Sequence, residues 1–143
     1  MPSVLIADDS ADMRSMVRRC LESMTPFKVC GEADDGTNVI ELAQKLQPDI
    51  ILLDLVMPNL NGIQAASVLK KLLPRTKIML FSFYSDLPGG ALAAAAGVDA
   101  IVDKSDGLKG ILEALQKVAP DSGQTQLTVE SPTKPNKPSA AGE

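Results

Sequence analysis

Short apolar runs alternate with segments of helical periodicity along most of the chain, and this alternation restricts the possible folds more than any other feature. Repeated βα units predict an α/β domain whose strands form an open, doubly wound, five-stranded parallel sheet. The five expected strands cover residues 3–7, 27–33, 49–54, 76–82 and 98–103.

The apolar residues also indicate where the core lies. The third strand is apolar throughout except at Asp54, as expected of a central parallel strand that is covered on both faces. In the first and last of four clear helical patterns, apolar residues share one face, which predicts that both stripes are buried. The stripes are Met13, Met16, Val17, Cys20 and Leu21 in the first helix, and Leu108, Ile111, Leu112, Leu115 and Val118 in the last.

Two segments depart from this pattern. Over residues 86–97, Pro88, Gly89 and Gly90 disfavour a helix start while the following alanines favour one, so a thin amphipathic helix with a frayed end is expected. From Pro120 onward the chain is rich in Pro, Ser, Thr, Lys and Gly, without apolar periodicity. The sequence therefore predicts one folded domain over 1–119 and a disordered tail over 120–143.

Composition excludes several classes of function. A chain of 143 residues, 45% of them hydrophobic, fits one globular domain, and its net charge of -4 argues against nonspecific binding to nucleic acid. No apolar run approaches the length of a membrane span, and the amino-terminal segment lacks a secretory pattern, so a cytoplasmic protein with reduced thiols is expected. Cys20 and Cys30 are then expected to be small buried hydrophobes. The absence of histidine excludes Ser-His and Cys-His nucleophile pairs.

Acidic residues stand where two of the expected strands end. Asp8 and Asp9 follow the first strand, and Asp54 ends the third. Ligands of an open parallel sheet bind beyond the carboxyl ends of its strands, so these carboxylates are expected to converge and to bind a hard cation such as Mg²⁺. Asp54, on the central strand, is the best placed to attack phosphorus, while Asp8 and Asp9 would hold the metal.

A hydroxyl and a cation complete this pattern. Ser82 and Lys104 lie at the ends of the fourth and fifth expected strands, where they would meet a phosphoryl group on Asp54. Each residue alone has an ordinary explanation, as a helix cap, a turn hydroxyl or a solvated lysine. Together, the five residues indicate a site for phosphoryl transfer.

Over residues 3–119 the chain resembles the receiver domains of bacterial two-component response regulators. The resemblance rests on the pair Asp8-Asp9, on Asp54-Leu55-Val56-Met57-Pro58 followed by Asn61-Gly62, on Ser82, and on Val102-Asp103-Lys104. It implies a flavodoxin-like fold, Asp54 as phosphoacceptor, Mg²⁺ as cofactor, and the Val56 backbone carbonyl as a further metal ligand.

The resemblance also implies partners. A sensor histidine kinase or a phosphotransfer protein would donate the phosphoryl group, and a downstream protein would bind the face around the predicted helix at 86–97, the fifth strand and the last helix. The leading hypothesis is a stand-alone regulator that binds another protein or relays the phosphate, without direct contact to nucleic acid or insertion into a membrane. Homodimerisation is left open.

Three positions depart from the family pattern. Ile101 replaces the usual aromatic residue three positions before the lysine, so coupling to the switch is expected to weaken or to run through Phe83 or Tyr84. Phe83 follows Ser82 at a position that is often small in relatives. By the resemblance, Val56 and Tyr84 lie near where a hydrolytic water would approach, so the aspartyl phosphate is expected to decay slowly. Ser105 stands where many relatives carry proline, and Ser105-Asp106-Gly107 is similar to receivers that precede helix-turn-helix output domains.

Two alternatives stay open beside the leading hypothesis. An aspartyl-nucleophile phosphohydrolase would also use Mg²⁺ and a strand-end aspartate, but it needs an acid two residues later, where this chain has Val56. A receiver-fold interaction module with an impaired switch is suggested by Ile101 and by the irregular segment 86–90.

Overall fold

The computed structural model describes residues 2–82 and 96–118. Five strands lie in this part of the chain: β1 (Ser3–Ala7), β2 (Lys28–Ala33), β3 (Ile50–Asp54), β4 (Lys77–Ser82) and β5 (Ala100–Asp103). Four α-helices accompany them there: α1 (Ala11–Met24), α2 (Gly36–Leu46), α3 (Gly62–Leu72) and α4 (Gly107–Val118). One short 3-10 turn (Lys104–Asp106) joins β5 to α4.

The strands form one parallel sheet in the order β2-β1-β3-β4-β5. This order places the first strand of the chain directly beside the central strand β3. The predicted five-stranded parallel sheet is confirmed, and every strand boundary falls within two residues of its expected position. All five residues of β3 are buried, as the apolar pattern of that strand indicated.

Helices cover both faces of the sheet. The cluster on one face joins strand residues to α1 and α4; its members include Val4, Ile6, Ile50, Leu52, Met79 and Val102 with Val17, Leu21, Ile111 and Leu115. The cluster on the other face joins the alternate strand residues to α2 and α3; its members include Leu5, Ala7, Ile51, Leu53 and Ile78 with Val39, Ala43, Ala65 and Leu69. Burying each large aliphatic side chain contributes about 1.5–3 kcal/mol to folding.

The predicted core stripe of α1 is wrong at one position. Val17, Cys20 and Leu21 are buried, but Met16 is 40% exposed. At about 100° per residue, Met16 lies at the edge of the arc that these three residues define, so it faces solvent beside the core. Cys20 is buried as expected, whereas Cys30 in β2 is only half-buried, and burial raises the pKa of its thiol.

The predicted stripe of α4 is confirmed. Ile111 and Leu115 are fully buried, and the flanking residues Leu108, Leu112 and Val118 pack partly buried against the same cluster. The helix therefore covers the β4–β5 side of the sheet with a broad apolar face.

The turn after β3 is fixed by close backbone contacts. Asn61 and Gln64 form a reciprocal capping box that begins α3, and the Gly62 amide donates to the Leu55 carbonyl oxygen at 2.7 Å. A Cβ atom at Gly62 would lie 2.6 Å from the Asp54 carbonyl oxygen, so glycine permits this approach. The turn thus folds back directly over the end of β3.

Several predictions concern residues outside the part of the chain that the structure describes. These are most of the helix expected over 86–97, the proposed switch residues Phe83 and Tyr84, and the tail from Pro120 onward. Among the helices that are described, none has both the length and the apolar character needed to cross a membrane.

Candidate functional site

Three carboxylates meet at the carboxyl edge of the sheet. Asp8 and Asp9 follow β1, Asp54 ends β3, and one oxygen from each lies within 4.8 Å of the others. Asp8 is 2% exposed and Asp54 is 4% exposed, whereas Asp9 faces solvent. The structure therefore brings together the three acidic residues that the sequence singled out.

Asp8 is held by three different elements. Its amide donates to the Ala33 carbonyl oxygen of β2 at 3.0 Å, and its Oδ1 accepts from the Ser10 amide at 2.9 Å. Its carbonyl oxygen accepts a hydrogen bond from Arg14 Nη1 at 2.6 Å. The buried Oδ2 accepts no hydrogen bond from any described residue. The Lys104 ammonium lies 3.4 Å from this oxygen, and a metal cation could ligate it from the open side.

Asp54 carries a charge that its surroundings compensate poorly. Burial and the negative charge of Asp8 raise the pKa of Asp54 to about 6, against the opposing effect of Lys104. The Val56 amide donates to Asp54 Oδ1, but at a long 3.4 Å. A neighbouring cation would relieve this unfavourable charge.

Lys104 reaches both buried carboxylates. Its Nζ lies 3.2 Å from Asp54 Oδ1 and 3.4 Å from Asp8 Oδ2, and its side chain is 12% exposed. The same ammonium lies 5.4 Å from the centre of the Phe81 ring. A single ammonium neutralises only one of three carboxylates, so the cluster retains negative charge when all three are ionised.

Ser82 lies at the end of β4, between β3, which ends at Asp54, and β5, which Lys104 follows. It pairs in register with Asp103, and the preceding residue, Phe81, pairs with Asp54. Ser82 is 1% exposed, and its hydroxyl has no hydrogen-bond partner among the residues described. Leaving such a group unsatisfied costs about 1–3 kcal/mol, which a polar ligand at this edge would recover.

Val56 and Ile101, two further residues that the sequence singled out, both have exposed side chains. Val56, in the turn that follows β3, has a side chain that is 58% exposed next to the acidic cluster. Ile101, in β5, is 41% exposed and lies on the surface of the sheet edge. The proposed functions of both residues stay predictions.

The site residues fit Mg²⁺. Mg²⁺ prefers oxygen ligands and commonly binds through one or two carboxylates together with waters and phosphate oxygens. Asp8, Asp9 and Asp54 supply such oxygens from two adjacent strand ends. Asp8 Oδ2 is buried and accepts no hydrogen bond from the described residues, so its described partner is the more distant Lys104 ammonium at 3.4 Å.

Sequence reasoning missed two residues next to this site. Phe81 supports the Lys104 ammonium, and Arg14 holds the backbone of Asp8. The sequence could have indicated Arg14, because Arg14 and Arg18 are four residues apart and so share a helical face beside the acidic pair. Phe81 required the register of β3 against β4, which a single sequence does not reveal.

An open parallel sheet of order β2-β1-β3-β4-β5, with helices on both faces, defines the flavodoxin-like class of α/β proteins. A family model described as "Response regulator receiver domain" matches residues 4–116. The chain belongs to this family, which serves in two-component signalling. The predicted family resemblance and fold class are thereby confirmed.

Curated relatives share the same region at moderate identity. The chain is 40% identical over 100 residues to the protein-glutamate methylesterase/protein-glutamine glutaminase of Thermotoga maritima, which covers 70% of this chain and 28% of that protein. It is 32% identical over 116 residues to the response regulator protein VraR of Staphylococcus aureus, covering 81% of this chain and 56% of VraR. The chain thus spans from about a quarter to just over half of these relatives.

Solved structures agree with this assignment. The response regulator domain of Thermotoga maritima CheB superposes with a TM-score of 0.72 at 32% identity, covering 82% of this chain and 93% of that chain. The Vibrio cholerae chemotaxis protein CheY4 superposes with a TM-score of 0.75 at 27% identity, covering 82% and 98%. The similarity therefore extends over nearly the whole of each receiver domain.

Proposed function

We propose that the protein accepts a phosphoryl group on Asp54, from the phosphohistidine of a sensor histidine kinase or a phosphotransfer protein, and signals by binding another protein. The observation that carries this proposal is the placement of Asp54: its carboxylate is buried at the end of the central strand, 3.2 Å from the Lys104 ammonium. A carboxylate oxygen would form the new bond to phosphorus while the bond from phosphorus to the histidine nitrogen breaks, which leaves an aspartyl phosphate and a neutral histidine.

Each side chain of the site has a role in this reaction. Lys104 would pair with an oxygen of the transferred phosphoryl group, since charge-assisted hydrogen bonds to phosphate are strong. The Ser82 hydroxyl, buried without a described partner, would donate to another of those oxygens. Both contacts would form only after phosphate arrives, so they would distinguish the phosphorylated state from the free state.

Mg²⁺ is the proposed cofactor. Asp8, Asp9 and Asp54, with the Val56 backbone carbonyl, are the groups that would hold it. When bound, Mg²⁺ would neutralise the negative charge shared by the carboxylates and the incoming phosphoryl oxygens.

The proposed output is a protein-protein contact. Because the chain belongs to the receiver-domain family, the proposed binding surface is the face around β5, α4 and the predicted helix at 86–97. A downstream protein, or a second copy of the chain, would bind this face in the cytoplasm. Binding to nucleic acid is not part of the proposal, because the net charge of -4 disfavours it. With the exposed apolar Val56 beside Asp54, the aspartyl phosphate is expected to decay slowly.

Amide NMR spectra with Mg²⁺, before and after addition of beryllofluoride, test this function. We expect large shifts at Asp54, Ser82 and Lys104 that spread along β5, because beryllofluoride mimics a phosphoryl group on an aspartate. The Asp54→Asn variant serves as the control and should show none of them. An unchanged wild-type spectrum would overturn the phosphoacceptor assignment.

A second candidate is an interaction module whose switch is impaired. The exposed Ile101 favours it, because this side chain is not an aromatic ring that could turn inward. Shifts confined to the acidic residues, together with equal partner binding by wild-type protein and Asp54→Ala, would support this candidate. A phosphohydrolase is disfavoured, since Val56 occupies the position of its acid and cannot donate a proton.

A further inference from the structure

Arg14 links the acidic edge of the sheet to the neighbouring strand β2. Its Nη1 donates to the Asp8 carbonyl oxygen at 2.6 Å, and its Nε donates to Glu32 Oε1 at 3.0 Å. The Arg14 side chain is 17% exposed, so both contacts are largely shielded from water. A planar guanidinium presents several donors in fixed directions and so holds two acceptors at once.

The Glu32 carboxylate that anchors Arg14 is itself held in place. Arg18, one helical turn further along α1, donates from Nε to Glu32 Oε2 at 2.7 Å. Burial acts to raise the pKa of Glu32, but the hydrogen bonds from Arg18 and Arg14 outweigh it, so the pKa is lowered. Glu32 is therefore ionised at neutral pH and pairs with both arginines.

The carbonyl that Arg14 contacts belongs to the peptide unit between Asp8 and Asp9. Because a peptide unit is planar, a strong hydrogen bond to its oxygen fixes the direction in which the chain enters Asp9. The Asp8 carboxylate has its own hydrogen bond from the Ser10 amide. The exposed Asp9 carboxylate depends more on the backbone for its place in the cluster.

On the basis of the phosphoacceptor function above, we propose that Arg14 is a positioning residue for the metal site: it orients the Asp8-Asp9 peptide and thereby places the Asp9 carboxylate toward Mg²⁺. In this role Arg14 touches neither the metal nor the phosphoryl group. Its positive charge alone would weaken binding of a cation, whereas its positioning strengthens it. Loss of the Arg14 charge should raise Mg²⁺ affinity, whereas loss of its hydrogen bonds should lower it, so an experiment can separate the two effects.

Three variants of the full chain separate position from charge. Arg14→Met removes both the charge and the hydrogen bonds, whereas Arg14→Lys keeps the charge and loses the planar donor set. Arg18→Met is the matched control, because Arg18 binds the same Glu32 but its other ion pair goes to Glu22, away from the acidic site. Calorimetric titration with Mg²⁺ gives the dissociation constant of each variant, and urea unfolding gives its stability.

We expect Arg14→Met and Arg14→Lys each to weaken Mg²⁺ binding about tenfold, at the low end of the effect of groups that orient metal ligands. Arg18→Met should keep the dissociation constant within about twofold of wild type while lowering the urea midpoint about as much as Arg14→Met. The Asp9 amide resonance should shift in both Arg14 variants and stay in place in Arg18→Met.

Other outcomes would overturn the inference in recognisable ways. Equal loss of affinity in Arg14→Met and Arg18→Met would mean that general anchoring of α1 to β2 matters. Tighter binding by Arg14→Met, with Arg14→Lys unchanged, would mean that charge dominates. If wild-type protein bound Mg²⁺ no more tightly than either Arg14 variant, the positioning role of Arg14 would be ruled out, but the proposed phosphoacceptor function would not. If wild-type protein bound no Mg²⁺ and its NMR spectrum did not change with beryllofluoride, both the positioning role of Arg14 and the proposed function would be ruled out.

Discussion

At the scale of single residues, Asp54 is where the proposed function conflicts with stability. Its carboxylate is buried beside Asp8, and these two effects raise its pKa to about 6, although Lys104 acts against them. A purely structural role would favour an apolar residue at the end of such a buried strand. The chain keeps a group there that is costly to ionise and suited to receiving a phosphoryl group.

The sign of this pKa shift predicts how Asp54 affects stability. The folded state binds the Asp54 proton more tightly than the unfolded state, whose pKa is near 3.8. The ionised side chain therefore destabilises the fold above about pH 6, and this cost disappears as the pH falls below about 4. Replacing Asp54 by Asn should raise the free energy of unfolding by about 2–3 kcal/mol at pH 7 and by less than about 1 kcal/mol at pH 4.

Urea unfolding in the presence of a chelator measures this difference. The exposed Asp34 provides a control, since Asp34→Asn should change stability by no more than about 0.5 kcal/mol at pH 7. If the Asp54→Asn variant were less stable than wild type at pH 7, the carboxylate would be stabilised by its surroundings and the argument would be wrong.

At the scale of elements, the turn between β3 and α3 sets the shape of the site. It is fixed to its own strand through Gly62 and to the first residue of α2, since the Gly36 amide donates to the Pro58 carbonyl oxygen at 3.2 Å. Asn59 adopts a left-handed conformation, with φ of 72°, and its side-chain Nδ2 donates to Asp35 Oδ2 at 3.2 Å. These bonds hold the backbone that follows Asp54 in one position.

Gly62→Ala should destabilise the protein by about 2–3 kcal/mol. The new Cβ would lie 2.6 Å from the Asp54 carbonyl oxygen and 2.8 Å from the Leu55 Cα, and backbone atoms cannot move away as a flexible side chain can. Thermal unfolding followed by circular dichroism measures the change.

A second alanine substitution on the same helix is the comparison for Gly62→Ala. Val68 is 38% exposed in α3, so Val68→Ala should alter stability by no more than about 0.5 kcal/mol. A Gly62→Ala variant as stable as wild type, or more stable, would show that the gain in helix propensity dominates, and the importance of close packing over β3 would have to be abandoned.

Elements were far more predictable from the sequence than the contacts between them. Strand positions follow from local apolar runs, and the convergence of Asp8 with Asp54 follows from the rule that parallel strands end at one edge. The position of Met16 was predicted wrongly because a five-residue stripe is wider than the arc that α1 buries. The bond of Arg14 to Glu32 depends on how α1 sits over β2, which no local pattern encodes.

At the scale of the whole molecule, the acidic site couples ligand binding to the stability of the fold. The site is built from strands that belong to both core clusters, so a cation that relieves its charge stabilises the entire sheet. We expect Mg²⁺ at about ten times its dissociation constant to raise the melting temperature by about 5 °C.

The Asp54→Asn variant makes this prediction specific. It should start from a higher melting temperature than wild type, and Mg²⁺ should raise that temperature by less than about 1 °C, because amide substitution and metal relieve the same repulsion. Scanning calorimetry at matched ionic strength measures both effects. Equal increases in the two proteins would indicate general salt stabilisation.

The residues of the acidic site are synthesised at different times. Asp8 leaves the ribosome well before the Lys104 ammonium that faces it, because Lys104 follows β5, the last of the five strands described. At a synthesis rate of roughly 5–20 residues per second, several seconds separate the two. Nascent chains therefore carry the acidic pair without the Lys104 counter-charge until the last strand has been made. The proposed phosphoacceptor site is thus complete only once the whole sheet has been synthesised.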